Sequence, residues 1–246
     1  MTEYLLLTLA AFAAGALNAV AGGGSFLTLP ALIYCGVPPV MANATGTVAL
    51  LPGYAASTWG FRQALRELKG LSLPRVLMLS VLGGSLGAGL LLVTDNRTFN
   101  QLMPWLLLAA TALFALAPRL LASRQGRSAS PTVALAALTV VAIYGGYFNG
   151  GLGILLLAAL SLLGHSNLNA MNGVKNLLST VLTAIAVVIY ALGDLVLWPQ
   201  ALLMMLAATA GGYWGARVAQ RLPAGTLRLG IIAVGLAMSL IFFLRL

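Results

Sequence analysis

Lys175 sits inside an apolar run at 168–192, and Asn172, Ser179 and Thr183 share its stretch of chain. On a helix, spacings of three and four put these groups on neighbouring positions of one face. A second run, 40–62, carries Asn43, Thr47, Tyr54 and Thr58 near one face. No carboxylate within the spans is available to pair with the Lys175 amine, so an anionic substrate is expected to supply its countercharge. An ionisable group within an apolar span is costly and marks a functional candidate. The alternative for Lys175 is a side chain that snorkels to a membrane surface about 10 Å away at helical rise.

Glycines supply the second part of such a site. The stretches "AGGGS" at 21–25 and "NGGLG" at 149–153 interrupt hydrophobic sequence where a membrane helix would carry leucines. Glycine permits a turn there. A turn in hydrocarbon leaves amides unpaired, which is tolerated only where protein or a water-filled cavity surrounds it. After each turn a short helix is expected from about Ser25 and from Gly153, aiming free N–H groups and a positive dipole end into the membrane. The amides around Gly23, Gly24 and Ser25, and around Gly151 and Gly153, are therefore candidates to replace an anion's hydration shell. Glycine-mediated packing without a ligand is the plainer reading.

These residues need a scaffold that spans a bilayer, and composition supplies it. Of 246 residues, 61% are hydrophobic and 7% charged, with mean hydropathy +1.00. Long Leu- and Ala-rich runs without period-two alternation predict an all-α integral membrane protein and argue against a barrel. The net charge of +9 does not point to nucleic acid, because the basic residues stand singly or in small groups between apolar runs. They read as topology signals. Cys35 is the single cysteine, which excludes an internal disulfide or multi-cysteine metal site, and it reads as a small hydrophobe. The N-terminus lacks a basic leader and carries Glu3, so no signal cleavage is expected. His165 reads as a structural or solvated turn residue; Tyr4, Trp105, Asp194 and Trp198 lie near segment ends.

The runs fall at 4–20, 25–36, 40–62, 74–93, 102–121, 132–148, 151–163, 168–192, 198–217 and 228–244. A shift of 128 superposes Gly22, Gly23, Gly36, Gly83, Gly84 and Gly87 on Gly150, Gly151, Gly164, Gly211, Gly212 and Gly215. Chance would give roughly one or two coincidences, so the chain reads as a tandem duplication. The expected first repeat is 1–125, with broken helix 4–36 and helices 40–62, 74–93 and 102–121; the second is 126–246, with broken helix 132–163 and helices 168–192, 198–217 and 228–244. "GGSLGA" and "GGYWGA" are then equivalent helix-packing faces. Single crossing by the broken elements divides the loop cations eight to four across the membrane, whereas folding them back as hairpins divides them ten to two. The positive-inside rule favours hairpins, which make the halves inverted repeats. The same shift lays Thr47 on Lys175, so a pseudo-two-fold axis is expected to bring both toward one central site.

The opener "NAVAGGGSFLTLPALIYCGVPPVMANATGT", its weaker copy "FNGGLGILLLAALSLLGHSNLNAMNGVKN" and the two GGxxGA segments resemble the TauE/SafE-type sulfite exporter family over nearly the whole chain. The resemblance implies a bacterial inner-membrane permease for sulfite, sulfonates, thiosulfate or related anions. It carries the family's glycine turns onto Gly22 to Ser25 and Gly150 to Gly153. It carries the polar helix starts onto Asn43 to Thr47 and onto Asn172 to Asn176. The second turn departs from the pattern, with Leu152 in place of the third glycine.

The expectation is a secondary transporter working by alternating access, with Gly23, Gly24, Ser25, Asn43, Thr47, Gly150, Gly151, Gly153, Asn172, Lys175, Asn176 and Ser179 as substrate-binding residues. Its partners are a small anion and the lipid bilayer. No nucleic acid, cofactor or metal is called for. A homo-oligomer and proton coupling stay open. Long basic loops are expected on the cytoplasmic side of a bacterial inner membrane. An anion channel would use the same dipoles. An enzyme is disfavoured because the spans carry no carboxylate, His pair or cysteine dyad for acid–base chemistry, and no P-loop indicates ATP-driven pumping.

Overall fold

The computed structural model describes residues 2–21, 23–63, 72–123, 130–163, 165, 167–219 and 224–244. Gly22, Arg66, Lys69, Arg124, Arg127, Gly164, Arg221 and Arg245 of the sequence reading lie outside the described residues. Among the described residues the chain is all-helical: α1 (Thr2–Ala21), α2 (Ser25–Tyr34), α3 (Pro39–Gly60), α4 (Leu73–Leu92), α5 (Asn96–Ser123), α6 (Pro131–Tyr147), α7 (Leu152–Leu162), α8 (Leu168–Leu192), α9 (Trp198–Ala219) and α10 (Ala224–Phe243). These follow the apolar runs closely except at α5, which starts at Asn96 instead of 102. Asp95 explains the difference. Its Oδ1 accepts the Thr98 N–H at 2.7 Å and its carbonyl accepts the Phe99 N–H at 3.0 Å, an N-cap that carries the helix into polar sequence that hydropathy does not mark.

α4 (Leu73–Leu92) and the Ala170–Leu192 stretch of α8 are each long and apolar enough to cross a membrane. In α4 the large side chains face out: Met78, Leu82, Leu86 and Leu90 are exposed, while Ser80, Gly83, Gly84, Gly87 and Ala88 are buried. That inside-out arrangement suits a helix whose outer face meets lipid and whose small residues let a neighbour approach. The neighbour is α6. A Cβ on Gly87 would run into the Ile143 carbonyl, and one on Gly146 into the Gly84 carbonyl. The second GGxxGA segment does the same against α1, where a Cβ on Gly211 would run into the Phe12 carbonyl and one on Gly15 into that of Ala208.

Helix contacts come in matched sets. α1 packs on α9 and α6 on α4; α2 packs on α10 and α7 on α5; α3 packs on α9 and α8 on α4. Each second member is the first with its elements exchanged between the halves, and the remaining cross-pairs, α3 with α8 and α5 with α10, join an element to its own counterpart. α3 and α8 run antiparallel. Asn43, at the start of α3, bonds the Tyr147 carbonyl, and Tyr190, at the end of α8, bonds the adjacent Gly146 carbonyl. Thr58, near the end of α3, meets Thr180 at 3.0 Å, well back along α8.

α2 and α7 have 10 and 11 residues. Helices of that length reach about 15 Å, half the hydrocarbon core. A cavity of about 410 Å³ is lined by Leu6 at the start of α1, by Pro30, Ile33 and Tyr34 toward the end of α2, and by Met238 and Phe242 of α10. The same neighbourhood raises the Cys35 thiol, first by burial and then through the Glu3 carboxylate. The start of α1 and the end of α2 thus lie side by side.

Candidate functional site

The two glycine breaks differ in backbone. At the first, Gly24 is right-handed, φ −57° and ψ −35°, and the carbonyls of Gly23 and Gly24 take the N–H groups of Phe26 and Leu27 at 3.1 and 3.0 Å. Ser25 opens α2 and is buried. At the second, Gly151 is left-handed, φ +73°, a conformation that strains any residue with a side chain. Gly150 and Gly153 are buried beside it. The carbonyls of Asn149 and Gly151 take the N–H groups of Leu152 and Ile154 at 3.4 and 3.0 Å. The breaks approach one another: a Cβ on Gly151 would come within 3.8 Å of the Phe26 ring.

The polar residues of α3 divide by role. Asn43 donates Nδ2 to the Tyr147 carbonyl at 2.9 Å, tying α3 to the end of α6, and Thr47 returns its hydroxyl to the Asn43 carbonyl at 2.8 Å. Both are occupied by backbone. Thr45, absent from the sequence candidates, accepts the Leu197 N–H at 3.1 Å. Tyr54 instead reaches inward, donating to Asn149 Oδ1 at 3.3 Å. Its other polar neighbour is Asn18, whose side chain also packs against Gly24. Tyr54 therefore stands between the residues that lead into both breaks. The signal for Asn18 and Asn149 was in the sequence, an asparagine shortly before each glycine run, but nothing local paired them with Tyr54.

On α8, Lys175, Asn176, Ser179 and Thr183 are buried and Asn172 is half-buried. Lys175 is 5% exposed and is the only charged side chain among the buried described residues. No carboxylate among the described residues pairs with it. Several buried polar atoms have no protein partner: Ser179 Oγ, Thr183 Oγ1, Asn149 Nδ2, Asn18 Oδ1 and the Tyr147 hydroxyl. Leaving such a group unsatisfied costs on the order of 1–3 kcal/mol, and three of the residues, Asn18, Tyr147 and Asn149, lead into the two helix breaks.

One expectation fails on geometry. Because α3 and α8 are antiparallel and cross where Thr58 meets Thr180, Thr47 lies about 16 Å from that crossing in one direction and Lys175 about 7 Å in the other, at helical rise. The pairing does not bring Thr47 to Lys175. Lys175 stands on the Thr58 side of the breaks, and Asn43 and Thr47 stand on the Tyr147 side. Among the described residues no group of His, Cys, Asp and Glu could hold a metal. His165, in the turn before α8, has its imidazole pKa lowered by burial.

The sequence profile described as "Sulfite exporter TauE/SafE" matches residues 7–242. A probable membrane transporter protein of Haemophilus influenzae is 31% identical over 216 residues, covering 84% of this chain and 81% of the relative. The probable membrane transporter protein ORF9 of Sinorhizobium sp. is 31% identical over 238 residues, covering 95% and 90%. The probable membrane transporter protein YfcA of Escherichia coli K12 is 28% identical over 231 residues, covering 93% and 85%.

Proposed function

The chain belongs to the sulfite exporter TauE/SafE family and is a transmembrane transporter, and from that premise we propose that it moves a small sulfur-containing oxyanion such as sulfite, a sulfonate or thiosulfate by alternating access. The observation that carries this reading is Lys175, buried, cationic and without a carboxylate, close to a set of polar atoms that lack partners. A largely desolvated cation without a countercharge is unfavourable. An anion supplies the missing countercharge.

In this reading the breaks before α2 and α7 are the tips of two helical hairpins. Support for the first comes from the shared cavity of Leu6 and Tyr34. The halves are inverted repeats, supported by antiparallel α3 and α8 and by helix contacts that recur on exchange of the halves. The amides of Gly23 to Ser25 and Gly150 to Gly153, with Asn172, Asn176 and Ser179, replace the anion's hydration shell, and Lys175 balances its charge. Asn43 and Thr47 hold α3 against the second half. Movement of one repeat against the other exposes the centre to each side in turn. With the basic loops cytoplasmic in a bacterial inner membrane, export is driven by the potential at about 2.3 kcal/mol per charge per 100 mV.

The test is uptake of radiolabelled sulfite into liposomes holding the parent protein or Lys175→Ala, with thiosulfate, taurine and sulfate as competitors. The parent is expected to transport, the competitors to rank, and the folded variant to lose more than tenfold in flux. Absence of flux for every sulfur anion under both polarities of potential would sink the assignment. Single-channel currents would replace the carrier with a channel.

A further inference from the structure

The Tyr54 hydroxyl has one proton to donate, and its two polar neighbours are carboxamides, Asn149 at 3.3 Å and Asn18. If the hydroxyl donates to Asn149 Oδ1 and accepts from Asn18 Nδ2, the groups left over are Asn149 Nδ2, a donor, and Asn18 Oδ1, an acceptor; both are buried without partners. Reversing the direction exchanges the amides and still leaves one donor and one acceptor. With the amides oriented as they are, the unpaired groups are one donor and one acceptor. Asn149 is 2% exposed and stands at the N-terminus of α7, an 11-residue helix, so the free donor is at a site that already favours negative charge.

We propose that Asn18, Tyr54 and Asn149 form a selectivity site for an oxyanion that carries one O–H, so that the monoprotonated monoanion, and not the dianion, is the transported species. The inference rests on the reading of the chain as a sulfur-oxyanion transporter and narrows its transported substrates to hydrogensulfite-type anions, with sulfonates and thiosulfate as weaker ligands of the same centre. A dianion or a sulfonate has only acceptor oxygens and sets one against the free amide carbonyl. A hydrogensulfite-type anion satisfies both, receiving a hydrogen bond from the free NH₂ and donating its O–H to the free C=O. Charge agrees independently. Lys175, the only charged side chain among the buried described residues, stands about 13 Å from Tyr54 along the helix axes, across the Thr58–Thr180 contact, so the three residues hold no charge of their own and bury a monoanion at lower cost than a dianion. The substrate then carries its own proton, and no carboxylate relay is needed. Tyr54 acts as a positioning residue.

The titratable groups nearest this site on the packed helices are the phenols of Tyr54, Tyr147, Tyr190 and Tyr144, whose hydroxyl donates to the Gly150 carbonyl at 2.7 Å, while the Lys175 amine lies across the Thr58–Thr180 contact and Glu3 and Arg97 lie at the outer ends of α1 and α5. Their ionisation is separated from the substrate's by a control anion. Initial rates of sulfite uptake into proteoliposomes are measured through the second ionisation of sulfurous acid. Inhibition by methanesulfonate, whose charge is constant, reports the protein's own titration and is divided out. The expected KM, expressed in total sulfite, rises as the reciprocal of the monoprotonated fraction and is constant when expressed in the monoprotonated species, with kcat unchanged. In Tyr54→Phe the KM for the monoprotonated anion rises about tenfold, the loss of roughly one oriented hydrogen bond, while methanesulfonate inhibition changes less than threefold. A corrected KM in total sulfite that is flat or falls through the ionisation overturns the inference and leaves the transporter reading intact. Absence of any sulfite flux overturns both. If Tyr54→Phe does not fold, the parent's profile decides alone.

Discussion

The hydroxyls of Thr58 and Thr180 meet at 3.0 Å, one from each half of the chain. Thr58 also bonds the Tyr54 carbonyl and Thr180 the Asn176 carbonyl. The contact therefore lies one turn from the proposed selectivity site along α3 and one turn from the Asn176 and Lys175 level along α8. Each hydroxyl has one proton, so a hydrogen bond across the contact forms only when one threonine turns its proton away from its own helix, and movement of one half against the other acts on this contact.

A disulfide at this contact tests the movement. Side chains whose hydroxyls touch have Cβ atoms near the range a disulfide spans. In a Cys35→Ala background, Thr58→Cys with Thr180→Cys is expected to cross-link under mild oxidation and to lose more than tenfold in sulfite flux, with recovery on reduction. Full flux in the cross-linked protein would show that transport does not part α3 from α8 here.

The exchanged helix pairs predict matched losses of stability. Gly87→Val forces a side chain into the Ile143 carbonyl of α6, and Gly211→Val does the same to the Phe12 carbonyl of α1. Overpacking of this kind costs about 1–3 kcal/mol. Both variants are expected to lower the midpoint of thermal unfolding in detergent by similar amounts, whereas Gly89→Val, which meets open space, is expected to leave it nearly unchanged.

The start of α5 predicts an acid-dependent loss of stability. Hydrogen bonds from the Thr98 side chain and backbone, and then the charge of Arg97, hold the Asp95 carboxyl below the usual carboxylate range. A depressed carboxylate contributes stability that is present above its unfolded pKa and lost as pH falls through the folded one. Asp95→Asn keeps a capping oxygen without the titration. The parent is expected to lose more of its unfolding midpoint between neutral and acid pH than Asp95→Asn; equal slopes for the two proteins would remove Asp95 as the cause.

The legible parts of this protein were those set by local physics. Glycine runs near 22 and 150 announced the helix breaks because few other residues turn freely, and the apolar runs placed nine of the ten helix starts within a few residues. The GGxxGA segments announced close helix contacts because small residues recur on one face. α5 began early because a single carboxylate cap, invisible to hydropathy, governs its first turn.

What lies opposite a helix face is not a local property, and the structure alone decided it. Periodicity put Asn43, Thr47, Tyr54 and Thr58 on one stripe, yet two of them turn to backbone, one meets Thr180 and one meets Asn149. A shift of 128 pairs Thr47 with Lys175 in the sequence, but antiparallel α3 and α8 carry the two residues to opposite sides of the Thr58–Thr180 contact. Tyr54 sits near that crossing, and it brings together two asparagines 131 positions apart in a 246-residue chain. The sequence by itself determined where the helices break and which faces are small or polar. Only the packing of one half against the other determined which polar groups meet and which are left for a ligand, because burial and hydrogen-bond pairing belong to pairs of helices and not to either one.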